Sequence, residues 1–162
     1  MTESTTSHHL IDTFYTAFQQ RDHAAMIACY HPHIHFTDPV FTDLRGSRAK
    51  AMWHMLCEQG TDLQITFNNV QGNGRSATAH WEATYTFSTG RPVHNIIHAA
   101  FQFQDNLIIN HQDTFDLWRW TRMALGPTGT FLGWSPMLKK KVRETAVTSL
   151  NKFITRHPEY QT

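Results

Sequence analysis

Between residues 62 and 117 the apolar side chains recur at every second position, and the segments carrying this alternation are separated by turns too short to hold a helix. The pattern predicts strands over about 63–71, 76–88, 93–104 and 107–117, punctuated by "GNGR", "STGRP" and "QDN". Parallel neighbours need a crossover of about a dozen residues. These turns offer no such length, so the four strands are expected to form an antiparallel meander. A sheet of this kind with one apolar face needs a cover.

The cover is predicted from both sides of the meander. Upstream, Leu10, Ile11, Phe14, Ala17 and Phe18 follow a 3.6-residue period behind Ser7, the candidate cap. A shorter stripe of Ala25, Met26, Cys29 and Tyr30 is ended by Pro32. After a strand and turn over "HFTDPVF", the run "GSRAKAMWHMLCEQG" gives a third helix, with Ala49, Met52, Trp53 and Leu56 on its apolar side and Gly60 at its stop. Downstream, "DLWRWTRMALGPTGTFLGWSP" is irregular. Met137 to His157 then forms a helix with Leu138, Val142, Ala146, Leu150, Phe153 and Ile154 along one side. Three helices followed by a meander is an α+β layout, with the helices on one face of a curved sheet.

Composition narrows the function classes. With 162 residues, 40% of them hydrophobic, the chain reads as one domain with a real core. A net charge of +1 excludes a nucleic-acid binder driven by charge, and Lys139, Lys140 and Lys141 read as the solvated face of the last helix. No apolar run approaches the ~18 residues of a membrane span, and "MTESTTSHHL" lacks a basic region followed by an apolar one. A cytoplasmic protein without membrane partners is expected. Cys29 and Cys57 show no metal-binding spacing and read as buried thiols in a reducing compartment. The "HPHIH" run, His31, His33 and His35, has no acid or cysteine at fixed spacing to complete a first shell, so no metal is expected.

The run "LIDTFYTAFQQRDHAAMIACYHPHIHFTDPVF…G" followed by the meander resembles the SnoaL-like, nuclear-transport-factor-2-like superfamily over about residues 8–118, with a C-terminal helical extension over about 119–162. That superfamily includes ketosteroid isomerase, limonene epoxide hydrolase and polyketide cyclases. The resemblance implies a cone-shaped α+β barrel with one deep pocket, no cofactor, and acids and bases projecting from the inner sheet face. Asp38 in "FTDPV" matches the general base of the isomerase, whereas the isomerase's oxyanion tyrosine aligns with Phe14, one residue from Tyr15, and its partner acid with Ala99. The hydrolase pattern places His80, Glu82 and Asp113 at acid–base positions, and Phe36 and Asp38 where a water is held. The cyclase pattern points instead to Asp116, which has the opposite strand parity to Asp113. Asp113 is favoured because Phe115 shares its side.

The expected site is therefore a catalytic cluster of Asp38, His80, Glu82 and Asp113, in which Glu82 orients His80 and one of the two aspartates is the base. Phe14, Tyr15, Phe36, Trp53 and Asn95 are expected to bind a small apolar substrate. Ile97, Phe101, His111 and Phe115 are expected to complete the pocket. Two functional classes stay open: a cofactor-free isomerase, hydrolase or cyclase, and a ligand-binding or structural dimer without chemistry. Strand parity is in conflict here. Plain alternation turns Trp81, Ala83, Tyr85 and Phe87 to the core, whereas the resemblance turns His80 and Glu82 there. Following the resemblance, Trp81, Tyr85, Phe87, His94, Ile96 and His98 form an outer face, too apolar for a monomer, that marks a homodimer interface.

Overall fold

The computed structural model describes residues 3–161, so Met1 and Thr2, part of the stretch read for a leader, lie outside the described residues. The chain runs α1 (Glu3–Gln19), α2 (His23–Ala28), β1 (Tyr30–Thr37), β2 (Leu44–Arg45) and α3 (Ser47–Gln59) before the meander. The meander is β3 (Gln64–Gly72), β4 (Ser76–Thr86), β5 (Pro92–Gln104) and β6 (Leu107–Thr114). Then come α4 (Leu117–Leu125), α5 (Pro127–Leu132), α6 (Pro136–Arg156) and a closing 3-10 turn, Pro158–Tyr160. The meander is thus as expected, and the irregular segment after it resolves into two short helices.

The sheet has six strands in the order β2-β1-β6-β5-β4-β3. Only β1 and β6 pair in parallel, in the register Phe36 with His111 and Thr37 with Gln112. This pairing was not readable from local turns, because some 70 residues of chain close it. Pro32 does not end a helix: α2 stops at Ala28, and Pro32 sits inside β1 where the pairing with β6 shifts register. Proline lacks the N–H a ladder needs, and an irregular stretch is where a strand tolerates that loss. Ser7 is likewise inside α1 rather than at its cap, and is buried.

One contiguous core lies between the inner sheet face and α1, α2, α3 and α6. Rings dominate it. Phe14 packs edge-on to Trp53 and stacks on Tyr30, while Phe18 packs edge-on to both Trp53 and Trp81. A second small cluster of Val93, Leu117, Trp120 and Ala124 closes one end of the sheet with help from Val40, Tyr85 and Val142. The corner between α4 and α5 depends on close approach: a Cβ on Gly129 would collide with the Thr121 carbonyl oxygen. No described helix is long and apolar enough to cross a membrane.

Burial along β4 alternates strictly, with Ala77, Ala79, Trp81 and Ala83 buried and the residues between them more exposed. Plain alternation therefore holds, and the parity implied by the resemblance is reversed. Trp81 is 7% exposed within a single chain and Tyr85 packs against the core, so neither belongs to an outer interface. Phe87 packs edge-on to Trp120 of α4. The outer face carries His80, Glu82, His94, His98 and Ile96, which leaves an aromatic homodimer interface without its aromatic residues.

Candidate active site

β6 brings His111 and Asp113 to the inner face, and both are buried. Their polar atoms belong to one chain of hydrogen bonds. Trp53 Nε1 donates to the Tyr30 hydroxyl at 2.7 Å, and that hydroxyl lies 2.7 Å from His111 Nδ1. An indole N–H can only donate, so the hydroxyl oxygen accepts it and its proton points to Nδ1. His111 then carries its own proton on Nε2, which donates to Asp113 Oδ1 at 2.9 Å. Trp81 Nε1 donates to the same oxygen at 3.3 Å. Four elements thus hold one carboxylate through two indoles, a phenol and an imidazole.

Asp38 sits just beyond β1. In the parallel register Thr37 lies opposite Gln112, which carries Asp38 alongside Asp113. Its Oδ1 accepts from Val40 N at 2.7 Å and Phe41 N at 2.5 Å, the turn-capping geometry of an aspartate before proline. The same carboxyl is nevertheless pushed up to about 7. Burial is the largest cause, opposed by the Phe41 N–H, reinforced by the Asp113 charge, and opposed again by the Val40 N–H and Arg143. Asp38 is therefore both a turn cap and a desolvated acid.

Three phenols surround this pair. Burial, then Asp113 and Tyr30, raises the Tyr15 hydroxyl well above its usual range, and among the described residues that hydroxyl has no hydrogen-bond partner. Tyr30 is raised by burial and Asp113, partly offset by the Trp53 hydrogen bond. Tyr85, raised by burial, accepts a hydrogen bond from Trp120 Nε1 at 2.8 Å and feels the charge of Asp38. All three stay protonated at neutral pH and act as hydroxyls, not phenolates.

The expected catalytic cluster splits in two. Asp38 and Asp113 share the interior, but His80 and Glu82 lie on the outer face. There His80 Nε2 is 2.9 Å from Glu82 Oε1, and His94 binds the other carboxylate oxygen. These hydrogen bonds, from His80 first and His94 second, hold the Glu82 carboxyl below the ordinary range. The ladder explains the split. Ala79 pairs with Ala99 and Ala99 with Asp113, whereas His80 pairs with His98 and His98 with Thr114. Residues opposite one another across a sheet share a face, so His80 cannot join Asp113. Asp116 is exposed and caps α4, its side chain accepting from Arg119 N at 3.0 Å.

The residues expected to bind substrate all turn inward. Phe14, Tyr15, Phe36, Trp53, Asn95, Ile97, Phe101 and His111 are buried and Phe115 is half-buried. They pack on one another more tightly than a wide cone requires: Trp53 stacks on His111, and Phe101 lies 4.4 Å from the His111 ring centre. Two open depressions of about 400 and 500 Å³ lie over the outer side of the sheet, lined by residues such as Thr78, Ala100 and Gln112. Tyr30, Trp81 and Tyr85 are the site residues that sequence reasoning misplaced. The signal for Trp81 and Tyr85 was the alternation itself, and Tyr30 was drawn into the apolar stripe of α2.

The model of the SnoaL-like domain matches residues 11–111. The chain belongs to the SnoaL-like family. The match covers more than half of the chain and stops at His111, two residues before Asp113. Comparison with curated proteins gives no match. Among solved structures, an epoxide hydrolase from M. tuberculosis resembling limonene epoxide hydrolase is 17% identical over 81% of this chain and 98% of its own, with a TM-score of 0.63. A protein from Jannaschia sp. CCS1, provisionally assigned as a SnoaL-like polyketide cyclase, gives 0.67 at 15% identity over 76% and 94%. One from Kribbella flavida, provisionally assigned as a ketosteroid isomerase, gives 0.58 at 16% identity over 72% and 82%. Identities this low establish the shared fold, and the reaction has to be argued from the site.

Proposed function

We propose that this SnoaL-like protein is a cofactor-free acid–base enzyme of the isomerase, hydrolase or cyclase type, acting on a small, mostly apolar molecule. The observation that carries the reading is the pairing of Asp38, pushed up to about 7, with an Asp113 backed by the His111–Tyr30–Trp53 chain. An acid that titrates near neutrality exchanges protons in either direction with little driving force lost. Asp38 is the proton-transfer group, and Asp113 holds or receives the second proton. Tyr15, buried and unpartnered among the described residues, is the donor for an oxygen that gains charge. His111, held by the Tyr30 hydroxyl at Nδ1, positions Asp113 through the hydrogen bond that its Nε2 donates.

The competing reading is a ligand-binding or structural module. It draws on the dense ring packing of the interior and on Trp120, which α4 lays against Tyr85 and Phe87. Isotope exchange separates the two whatever the natural product is. Small ketones incubated in D2O lose their α-proton NMR signals if the site transfers protons, and small epoxides gain 18O from labelled water if it adds water. The enzyme reading requires one of these activities, its loss in Asp38→Asn and Asp113→Asn, and ligand affinity that stays within a few-fold. Activity that persists in both variants, or ligand binding with no exchange in any panel member, refutes it.

A further inference from the structure

We propose that His54, Glu58 and His157 form a binding site for a divalent transition metal of the zinc type, joining α3 to the C-terminal end of α6. The site lies away from the two aspartates and does not rest on their proposed role. His54 and Glu58 stand four residues apart on α3 and so share one helix face. His157 caps α6 and approaches from the other side. His54 Nε2 is 3.8 Å from Glu58 Oε2, and His157 Nε2 is 3.7 Å from the same oxygen. One ligand atom from each of the three residues falls within 4.8 Å of the others.

The ring protons decide what these atoms can accept. His157 Nδ1 lies 2.9 Å from the Phe153 carbonyl oxygen, which only accepts, so Nδ1 carries the proton and neutral His157 presents a lone pair at Nε2. His54 Nδ1 lies 3.0 Å from the Tyr160 hydroxyl. With that hydroxyl as acceptor, His54 also presents a lone pair at Nε2. Two lone pairs and a carboxylate then face one another at separations too long for hydrogen bonds. In that tautomer of His54 three acceptors face one another with no donor between them, an arrangement that a cation completes. The outer hydrogen bonds to Phe153 and Tyr160 are of the kind that fix the tautomer and aim of metal-bound imidazoles.

The dimensions fit zinc. Bonds of about 2.0–2.1 Å to nitrogen and oxygen give a tetrahedron with edges of about 3.4 Å, so the two separations to Glu58 need to contract by a few tenths of an ångström, and the edge between the two imidazoles, which lies within 4.8 Å, closes by a movement of the side chains. Glu58 is more than half exposed, which leaves room for a water at the fourth position. The His23 ring stacks on His54 at 3.5 Å between centres and fixes the plane of its imidazole.

The test uses the full-length, chelator-treated protein titrated with zinc sulfate by calorimetry, with cobalt(II) spectra as a second probe. One equivalent is expected, together with the ligand-field bands of a four-coordinate site. The thermal midpoint should rise by about 5–10 °C at about a hundredfold excess over the dissociation constant. Glu58→Gln changes an exposed side chain, so it should fold normally and weaken zinc at least ~10-fold, the scale seen when even an outer-shell partner is lost. His157→Gln should do the same. His33→Gln, on the exposed "HPHIH" run, should leave binding unchanged. No stoichiometric binding at micromolar zinc, wild-type affinity in Glu58→Gln, or loss only in His33→Gln would overturn the assignment.

Discussion

Replacing Asp38 with Asn makes its desolvation measurable as stability. The amide keeps an oxygen for the Val40 and Phe41 N–H groups, so the turn is retained and only the charge is lost. Asp38 titrates at about 7 in the folded protein against an ordinary 3.8, so between these values the folded state binds more protons than the unfolded one. Stability then falls as pH rises across that window, the opposite of a salt-bridged aspartate. At ~1.4 kcal/mol per pKa unit, the rise from 3.8 to about 7 corresponds to about 4 kcal/mol lost above the window. Asp38 is only half-buried by its accessible surface, and solvent screening trims this to roughly 2–4 kcal/mol. Asp38→Asn should therefore match the wild type at about pH 4 and exceed it by roughly 2–4 kcal/mol at about pH 8. Urea unfolding of both proteins across this range reads the difference, because titrating groups that do not interact with Asp38 cancel. In thermal melts each kcal/mol is worth about 2–4 °C for a chain of this size. A difference that stays flat with pH, or that shrinks as pH rises, refutes the desolvated-acid reading of Asp38.

Two further substitutions test the packing around the site. Tyr85→Glu strands a carboxylate beside Asp38 and deprives the Trp120 N–H of its acceptor, so it should destabilise the folded monomer by about 3 kcal/mol or more in urea unfolding, with no change in mass by light scattering. A clean shift from dimer to monomer without loss of stability would restore Tyr85 to an interface. Gly129→Ala forces a methyl into the Thr121 carbonyl and should cost about 2–3 kcal/mol, read as a lower thermal midpoint and loss of α4 protection in hydrogen exchange.

Elements whose signal is local were legible. The meander followed from alternation and turn residues, and α3 and α6 followed from long apolar stripes between clear stops. Elements whose existence depends on distant partners were not. The end of β1 is legible in "HFTDPVF", but its start at Tyr30 and its parallel partner β6 are not, because a proline reads locally as a helix stop. The helices α4 and α5 hide among glycines because those glycines permit close packing rather than mark loops: Gly129 meets Thr121, and Gly126 adopts a φ of +63 where the two helices join. The metal-type cluster was invisible for the same reason, since His157 reaches His54 only through the docking of α6 on α3. Asp38 and Asp113 lie on the inner side of the sheet as expected, His80 and Glu82 lie on the outer side, and His111, expected to complete the pocket, is the histidine beside Asp113.

The reversal of His80 and Glu82 has a mechanical cause. A turn such as "STGRP" does not by itself fix which way the residues of β4 face, and a shift of one position exchanges the two faces of a strand completely. Register carries the information that a shared turn does not. The β4–β5 ladder pairs residues whose numbers sum to 178, and near Asp113 the β5–β6 ladder pairs those summing to 212. Carrying Asp113 through both ladders gives Ala99 and then Ala79, on the same face as Trp81, and it excludes His80 and Glu82 at once. The same arithmetic carries the interior site one strand further, because the parallel pairing of β1 with β6 sets Phe36 beside His111 and so Asp38 beside Asp113. The proposed proton-transfer site therefore draws one acid and its histidine from β6 and the other acid from the turn just after the parallel strand β1. From β4 it takes the Trp81 N–H to Asp113 and the Tyr85 ring near Asp38, and removing the first by Trp81→Phe should disturb Asp113 while leaving the outer His80–Glu82–His94 cluster untouched.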